Sequence, residues 1–224
     1  MAPSRSGGAD HGDRRNRCVR RRPTLSRGGG EEPTVPAAEF GSYYGRPVIK
    51  KPVWAWDIAA YFATGGIMAG SSLLAAGADV TGNTRLRRTT RLTAVANLGA
   101  STYFLVHDLG RPDRFYNMLR VVKPTSPMSI GSWVLAAYAA PTALAAVVEL
   151  IGILPGAGRA AGFGAAAIAP VVASYTAVLT ADTAVPAWHD AYPYLPFVFV
   201  GSAGAAASGL AMVLVPPAMA GPAR

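Results

Sequence analysis

The sequence predicts an all-α membrane protein, a polytopic transmembrane bundle of about five spans. Apolar runs recur at 54–78, 89–107, 130–154, 161–181 and 195–215, and most of them reach the roughly 20 residues that a helix needs to cross a hydrocarbon core. Composition agrees, with 51% hydrophobic and only 15% charged residues, and with Gly 25 and Pro 18 at levels usual in membrane helices and high for soluble ones. A soluble Ala-rich domain would show helices with a polar face recurring about every 3.6 residues, and these runs do not. Backbone groups cannot be left unpaired in lipid, so the runs are expected to be helices. The alternating short segments of a barrel are absent.

The chain opens on a tail, 1–38, with Arg5, Arg14, Arg15, Arg17, Arg20, Arg21, Arg22 and Arg27 among Gly, Ser and Pro. It is too polar to fold alone. The formal charge of +9 is concentrated there, which favours contact with anionic lipid headgroups over nucleic acid. No apolar core follows the basic residues, as a cleaved signal peptide requires. The sole cysteine, Cys18, lies in the same tail and leaves the chain without a disulfide or a cysteine-bound cluster of its own.

The first span carries Asp57 just after the aromatic residues Trp54 and Trp56, with Tyr61 four residues on and on the same helical face. This is either an interfacial aromatic belt with a wet carboxylate or a polar pocket near one membrane surface. The second span is bounded by Arg91 and His107, so Arg91 is expected to snorkel to the interface or the helix to begin nearer Thr89. A loop dense in charge and proline follows, 107–129, expected to be ordered at a membrane surface. The third span contains Pro141 and ends near Glu149, expected to be solvated or a pairing partner at the helix end. The fourth contains Pro170, Ser174, Tyr175 and Thr176 and closes at Asp182.

Antiparallel order places Asp57, Asp108 and Asp182 at one level, on the face of the 107–129 and 182–194 loops. The short 79–91 and 155–160 connections fall opposite. Basic residues near the spans are nearly balanced between the faces, and only the tail tips the count toward a cytoplasmic N-terminus. Gly66 and Gly70, and Gly201, Ala205 and Gly209, recur at the spacing that lets helices approach closely.

Three chemistries are excluded by placement. A bis-histidine haem needs imidazoles facing each other inside the bundle, yet His11 is in the tail and His107 and His189 are at span ends. His189 and Asp190 are adjacent but lack further ligands at metal-binding spacing. Gly28 to Gly30 precede no strand and no following lysine, so no phosphate loop is present.

Three segments carry a family resemblance: YGRPVIKKPVWAWDIAAYFATGGIMAGSSLLA at 44–75, DLGRPDRFYNMLRVVKPTSPMSIGSW at 108–133 and SYTAVLTADTAVPAWHDAYPYLPFVF at 174–199. Together they resemble the NrfD-like family, the membrane subunits of polysulfide reductase and related molybdenum-enzyme complexes. The resemblance implies an integral subunit of the cell membrane that binds a quinone or quinol. It would exchange electrons with an iron–sulfur subunit, itself connected to a molybdopterin catalytic subunit. Carried over by position, the quinone pocket would draw on Asp57, Tyr61, Asp108 and Tyr175. The charged loop, with Arg111, Arg114, Arg120 and Lys123, would dock the iron–sulfur partner.

Two departures accompany the resemblance. Ile58 and Tyr61 stand where the polysulfide reductase branch has an asparagine and a histidine. The sequence also ends at PPAMAGPAR, whereas family members continue through further helices, so a short or truncated form is expected. The alternatives are a structural anchor without quinone chemistry, a non-functional fragment, and a transporter. The last would need polar residues through the whole depth of the bundle, and they are expected to cluster at one face.

Overall fold

The structure, a computed structural model, describes residues 56–183 and 185–223. The arginine-rich tail, Cys18, Trp54 and the basic residues Arg46, Lys50 and Lys51 lie outside the described residues. The chain runs through α1 (Trp56–Val80), α2 (Thr84–His107), a 3-10 helix (Pro112–Leu119), α3 (Pro127–Ile151), α4 (Pro155–Ala181), a short α5 (Pro186–Asp190) and α6 (Leu195–Leu214). Two single 3-10 turns, Pro217–Met219 and Gly221–Ala223, follow. Among the described residues there is no strand, and the all-α expectation holds.

Four helices, α1, α3, α4 and α6, are long and apolar enough to cross a membrane. The expected second span is α2, whose 24 residues rise about 36 Å. It is long enough, but Arg85, Arg87, Arg88 and Arg91 near its start make it far less apolar than the others.

Tight connections fix the antiparallel order. After α1 the chain turns through Gly82, whose φ of 72° lies in the left-handed region that a side chain would resist. Asn83 then caps α2 by accepting a hydrogen bond from the Leu86 amide at 3.1 Å. The cap starts α2 at Thr84, ahead of the expected Thr89. On the same end, Gly152 closes α3 in the left-handed conformation with its amide on the Val148 carbonyl at 2.9 Å. Pro155 then opens α4, earlier than the expected residue 161.

Helix α1 packs against α2, α4 and α6, and α3 packs against α4 and α2. Large residues are sparse inside: the main core joins Met68, Leu98, Leu135, Tyr138 and Val172 with Ala69, Ala165, Ala169, Ala173 and Ala203. Large apolar residues face outward instead, as in Phe197 at 78% and Val213 at 82% exposed. A soluble protein would reverse this arrangement. In lipid, helix association comes from close packing of small residues, with bulky side chains meeting the acyl chains.

The seam between α1 and α6 shows the principle in atoms. A Cβ on Gly70 would collide with the Ala203 carbonyl oxygen and would lie 2.7 Å from the Ala207 methyl. The expected α6 stripe is corrected here. Ala203, Ala207 and Ala211 are the buried residues of α6, while Cβ atoms at Gly201 and Gly209 would meet nothing. The two sets are offset by two residues, about 200° around a helix, and so occupy opposite faces.

Arg91 also departs from expectation. It neither snorkels nor marks the helix start, but is buried at 4% exposure. Its guanidinium donates from Nη1 to Glu149 Oε2 at 2.9 Å and from Nη2 to Asp79 Oδ2. Arg87 bonds both Glu149 oxygens at 3.1 and 3.2 Å and Asp79 Oδ1 at 3.3 Å. Arg159 of α4 reaches Asp79 Oδ1 at 3.7 Å. Glu149 is thus a pairing partner at the helix end, and one ionic cluster joins α1, α2, α3 and α4.

Two consequences are measurable. Replacing Arg91 with leucine leaves two buried carboxylates short of a partner and should cost about 3–5 kcal/mol of stability. Exposed Arg85→Gln should melt like wild type in the same detergent. Gly70→Leu should separate α1 from α6 and lower the melting temperature strongly, whereas Gly204→Leu, on an open face of α6, should leave it unchanged.

Candidate functional site

The end of the bundle opposite the ionic cluster gathers most of the expected site residues. Asp57 occupies the first turn of α1 and is buried, 6% exposed. His107, the last residue of α2, brings Nδ1 to 3.2 Å from Asp57 Oδ1, and its side chain is 55% exposed. The two are close enough to pair when the imidazole is charged, but the oxygen receives no aligned hydrogen bond among the described residues. A buried carboxylate oxygen without a donor is costly and marks a place where a further polar group is wanted. His107 stacks on Tyr103 at 5.7 Å between centroids, and Trp56 meets Phe104 edge-on at 5.5 Å. These aromatic contacts hold the imidazole over the carboxylate.

Tyr61 lies one turn deeper on α1 and is buried at 3% exposure. Its ring packs near Phe62 at 6.0 Å, and beneath it Thr64 Oγ1 and Ser101 Oγ share a hydrogen bond of 2.8 Å between α1 and α2. Asp108 is the C-cap of α2, with its amide on the Phe104 carbonyl, and its side chain is exposed. Asp182 likewise caps α4 and is exposed. Antiparallel order therefore brings the three carboxylates to one end, but only Asp57 turns inward.

Tyr175 is half-buried on α4, and its ring lies directly against Gly131 of α3. A Cβ at Gly131 would occupy the space of the ring, so glycine there is what admits the tyrosine. Tyr175 packs beside the main core, and no hydrogen bond or ring contact joins it to Asp57 or Tyr61 among the described residues. Ser174 and Thr176 bond back to carbonyls of their own helix, at 3.1 Å to Val171 and 2.8 Å to Ala173.

Next to this end an apolar cleft of about 170 Å³ opens between α2, the 3-10 helix and α3. Thr102, Leu105, Val106, Phe115, Leu119 and Leu135 line it. The loop that roofs it is ordered by local chemistry. Gly110, φ 67°, turns the chain after α2, and Pro112 opens the 3-10 helix. Ser129 Oγ then donates to the Val121 carbonyl and accepts from the Lys123 amide, both at 3.1 Å. Arg111, Arg114, Arg120 and Lys123 are all exposed on this loop. Arg114 has only a marginal approach to Asp113, 4.0 Å between exposed groups.

Polar groups also run deeper than expected. Ser72 and Tyr138 share a hydrogen bond of 2.6 Å in the middle of the bundle, and the Tyr138 hydroxyl lies 2.9 Å from the Met68 carbonyl. With Asp57, Thr64 and Asp79 they form a row along α1, so polar residues are not confined to one face. Each inner pair joins two helices and acts as interhelical adhesion.

Sequence reasoning missed His107 as the neighbour of Asp57 and Gly131 as the seat of Tyr175. His107 immediately precedes the 108–133 segment and Gly131 lies near its end; a histidine facing a first-turn aspartate across antiparallel helices was a readable signal for the former. For Gly131 no sequence signal distinguishes it from the other glycines.

No curated protein matches the chain. The family model described as polysulphide reductase, NrfD, matches residues 47–222, which includes every helix described above. Members of that family are membrane subunits of oxidoreductase complexes, and the outward-facing apolar surfaces of the four spanning helices are those of a membrane protein. This chain belongs to the NrfD, polysulphide reductase, family.

Proposed function

We propose that the chain is the quinone- or quinol-binding anchor of a multi-subunit oxidoreductase in the cell membrane. It passes electrons between the quinone pool and an iron–sulfur subunit, which serves a molybdopterin catalytic subunit. The observation that carries this reading is buried Asp57, with an oxygen lacking a hydrogen-bond donor among the described residues, beside half-exposed His107 and one turn from buried Tyr61. A quinol gives up two protons and two electrons on oxidation, and the protons need acceptors leading to water. Asp57 supplies a carboxylate facing the bundle interior, and His107 supplies an imidazole between that carboxylate and the surface.

The residues present suit such a ligand. Tyr61 and Tyr175 are hydroxyl donors for ring carbonyls, and the apolar cleft at Leu105, Val106 and Phe115 suits a hydrocarbon tail. Asp108, exposed at the helix end, extends the proton route outward. Ile58 and Tyr61, in place of asparagine and histidine, make this a pocket with a phenol where that branch has an imidazole. The electrons leave to the iron–sulfur subunit across the face carrying Arg111, Arg114, Arg120 and Lys123, whose cationic charge favours an acidic partner.

Quinol oxidation by membranes holding the assembled complex tests the reading. Asp57→Asn should lower turnover by about 100-fold or more, the usual scale for losing a general base, with assembly intact. An assembled complex that neither binds a quinol analogue nor oxidises quinol would reject it. Tyr175→Phe keeps the ring on Gly131 and removes only the hydroxyl, so turnover should fall by the worth of one hydrogen bond, roughly 0.5–1.5 kcal/mol. Wild-type turnover and affinity in that variant would remove Tyr175 from the site. Reversing the charge of Arg111 and Arg114 together should release the iron–sulfur subunit from membranes while the chain stays inserted. Equal partner recovery at low and moderate salt would instead assign the loop to lipid headgroups.

A further inference from the structure

At the opposite end of the bundle a cavity of about 210 Å³ is lined by Arg87, Arg91, Glu149, Gly152, Pro155 and Arg159. Its charges do not balance. Arg87, Arg91 and Arg159 face two carboxylates, Asp79 and Glu149. The surplus falls on Arg159, whose only ion pair among the described residues is a 3.7 Å approach to Asp79 Oδ1, an oxygen that already accepts from Arg87 at 3.3 Å. The Arg159 side chain is 57% exposed. Arg91, almost wholly buried, keeps an Nε without a hydrogen-bond partner among the described residues. The cluster is thus short of acceptors by charge and by hydrogen bonding alike.

The cavity rim adds more positive potential. Pro155 starts the 27-residue α4, and Leu154 before it offers no side-chain cap. Pro155 has no N–H and the Gly158 amide donates to the Leu154 carbonyl at 3.2 Å, so the Gly156 and Ala157 amides are the ones left without an intrahelical acceptor, and the helix dipole reinforces the arginines. Around this cationic mouth Ile151, Ile153 and Leu154 are exposed. A cation-lined cavity with an apolar rim at the end of a membrane bundle matches a molecule with an anionic head and hydrocarbon tails.

We propose that this cavity seats a phosphate group, supplied by the headgroup of an anionic phospholipid. Arg159 and Arg87 hold its oxygens together with the free Gly156 and Ala157 amides of α4, while Glu149 stays engaged by Arg87 and Arg91. The acyl chains lie against Ile153 and Leu154. This site is separate from the quinone reading and its test involves no quinone.

The test uses the full chain purified in detergent. Thermal melting is followed with added phosphatidylglycerol, phosphatidylcholine or inorganic phosphate, for wild type, Arg159→Gln, Arg159→Lys and Arg88→Gln. Phosphatidylglycerol should raise the melting temperature of wild type and Arg88→Gln, the exposed control outside the cavity. Arg159→Lys should keep most of that rise, and Arg159→Gln should lose most of it. Binding to phosphatidylglycerol nanodiscs should weaken roughly fivefold in Arg159→Gln, equivalent to about 1 kcal/mol per basic residue at a membrane surface. If inorganic phosphate alone gives a rise that Arg159→Gln abolishes, the anion site stands with free phosphate as its occupant. Equal responses of wild type and Arg159→Gln, or no preference of wild type for phosphatidylglycerol over phosphatidylcholine, would overturn the proposal.

Discussion

The fold depends on a buried ionic contact. Asp79 lies at the end of α1, Arg87 and Arg91 near the start of α2, Glu149 near the end of α3 and Arg159 in the first turns of α4, and their hydrogen bonds and ion pairs meet at one level. Removing the buried charges of Asp79, Arg91 and Glu149 from water is expensive, and their mutual attraction repays that cost only in a near-complete arrangement. The cluster therefore specifies more than it stabilises. It fixes which helix ends coincide, and hence that the α1–α2 and α3–α4 turns share a side while Asp57 and His107 share the other.

Between the two ends, alanine and glycine set how near the helices come. Gly70 against Ala203 and Ala207, and Gly131 against Tyr175, remove side-chain volume where backbone or ring must enter. The inner hydrogen bonds, Thr64 to Ser101 and Ser72 to Tyr138, then set the register of α1 against α2 and α3. The candidate site inherits this register. Asp57 meets His107 because α1 is held in place by contacts along its whole length.

Much of this was legible in the sequence. The helices and their antiparallel order follow from apolar length, although α2, expected as the second of five spans, is less apolar than the four long helices that can cross a membrane, and the ordered loop follows from proline and charge between two helices. Asp57 was legible because a carboxylate in a spanning helix demands an explanation. What could not be read depends on rotation about helix axes. Gly201, Ala205 and Gly209 have the same spacing as Ala203, Ala207 and Ala211, and only the packed bundle says which set faces inward. Arg91 was misjudged for a related reason. A lone arginine in a span looks expensive until Asp79 and Glu149, 12 and 58 residues away, are seen to meet it.

The inward placement of Arg91 also changes what α2 presents to its surroundings. Counted from the exposed Arg88, α2 rises about 28 Å to His107, near the roughly 30 Å of a typical hydrocarbon core. Counted from Arg91 the length would be only about 24 Å. An arginine facing outward at that position would ask adjacent lipid to thin, at a cost of fractions of a kcal/mol per Å of mismatch. By meeting Asp79 and Glu149 inside the bundle, Arg91 removes its charge from the outer surface of α2 and lengthens the apolar side of that helix by nearly a turn.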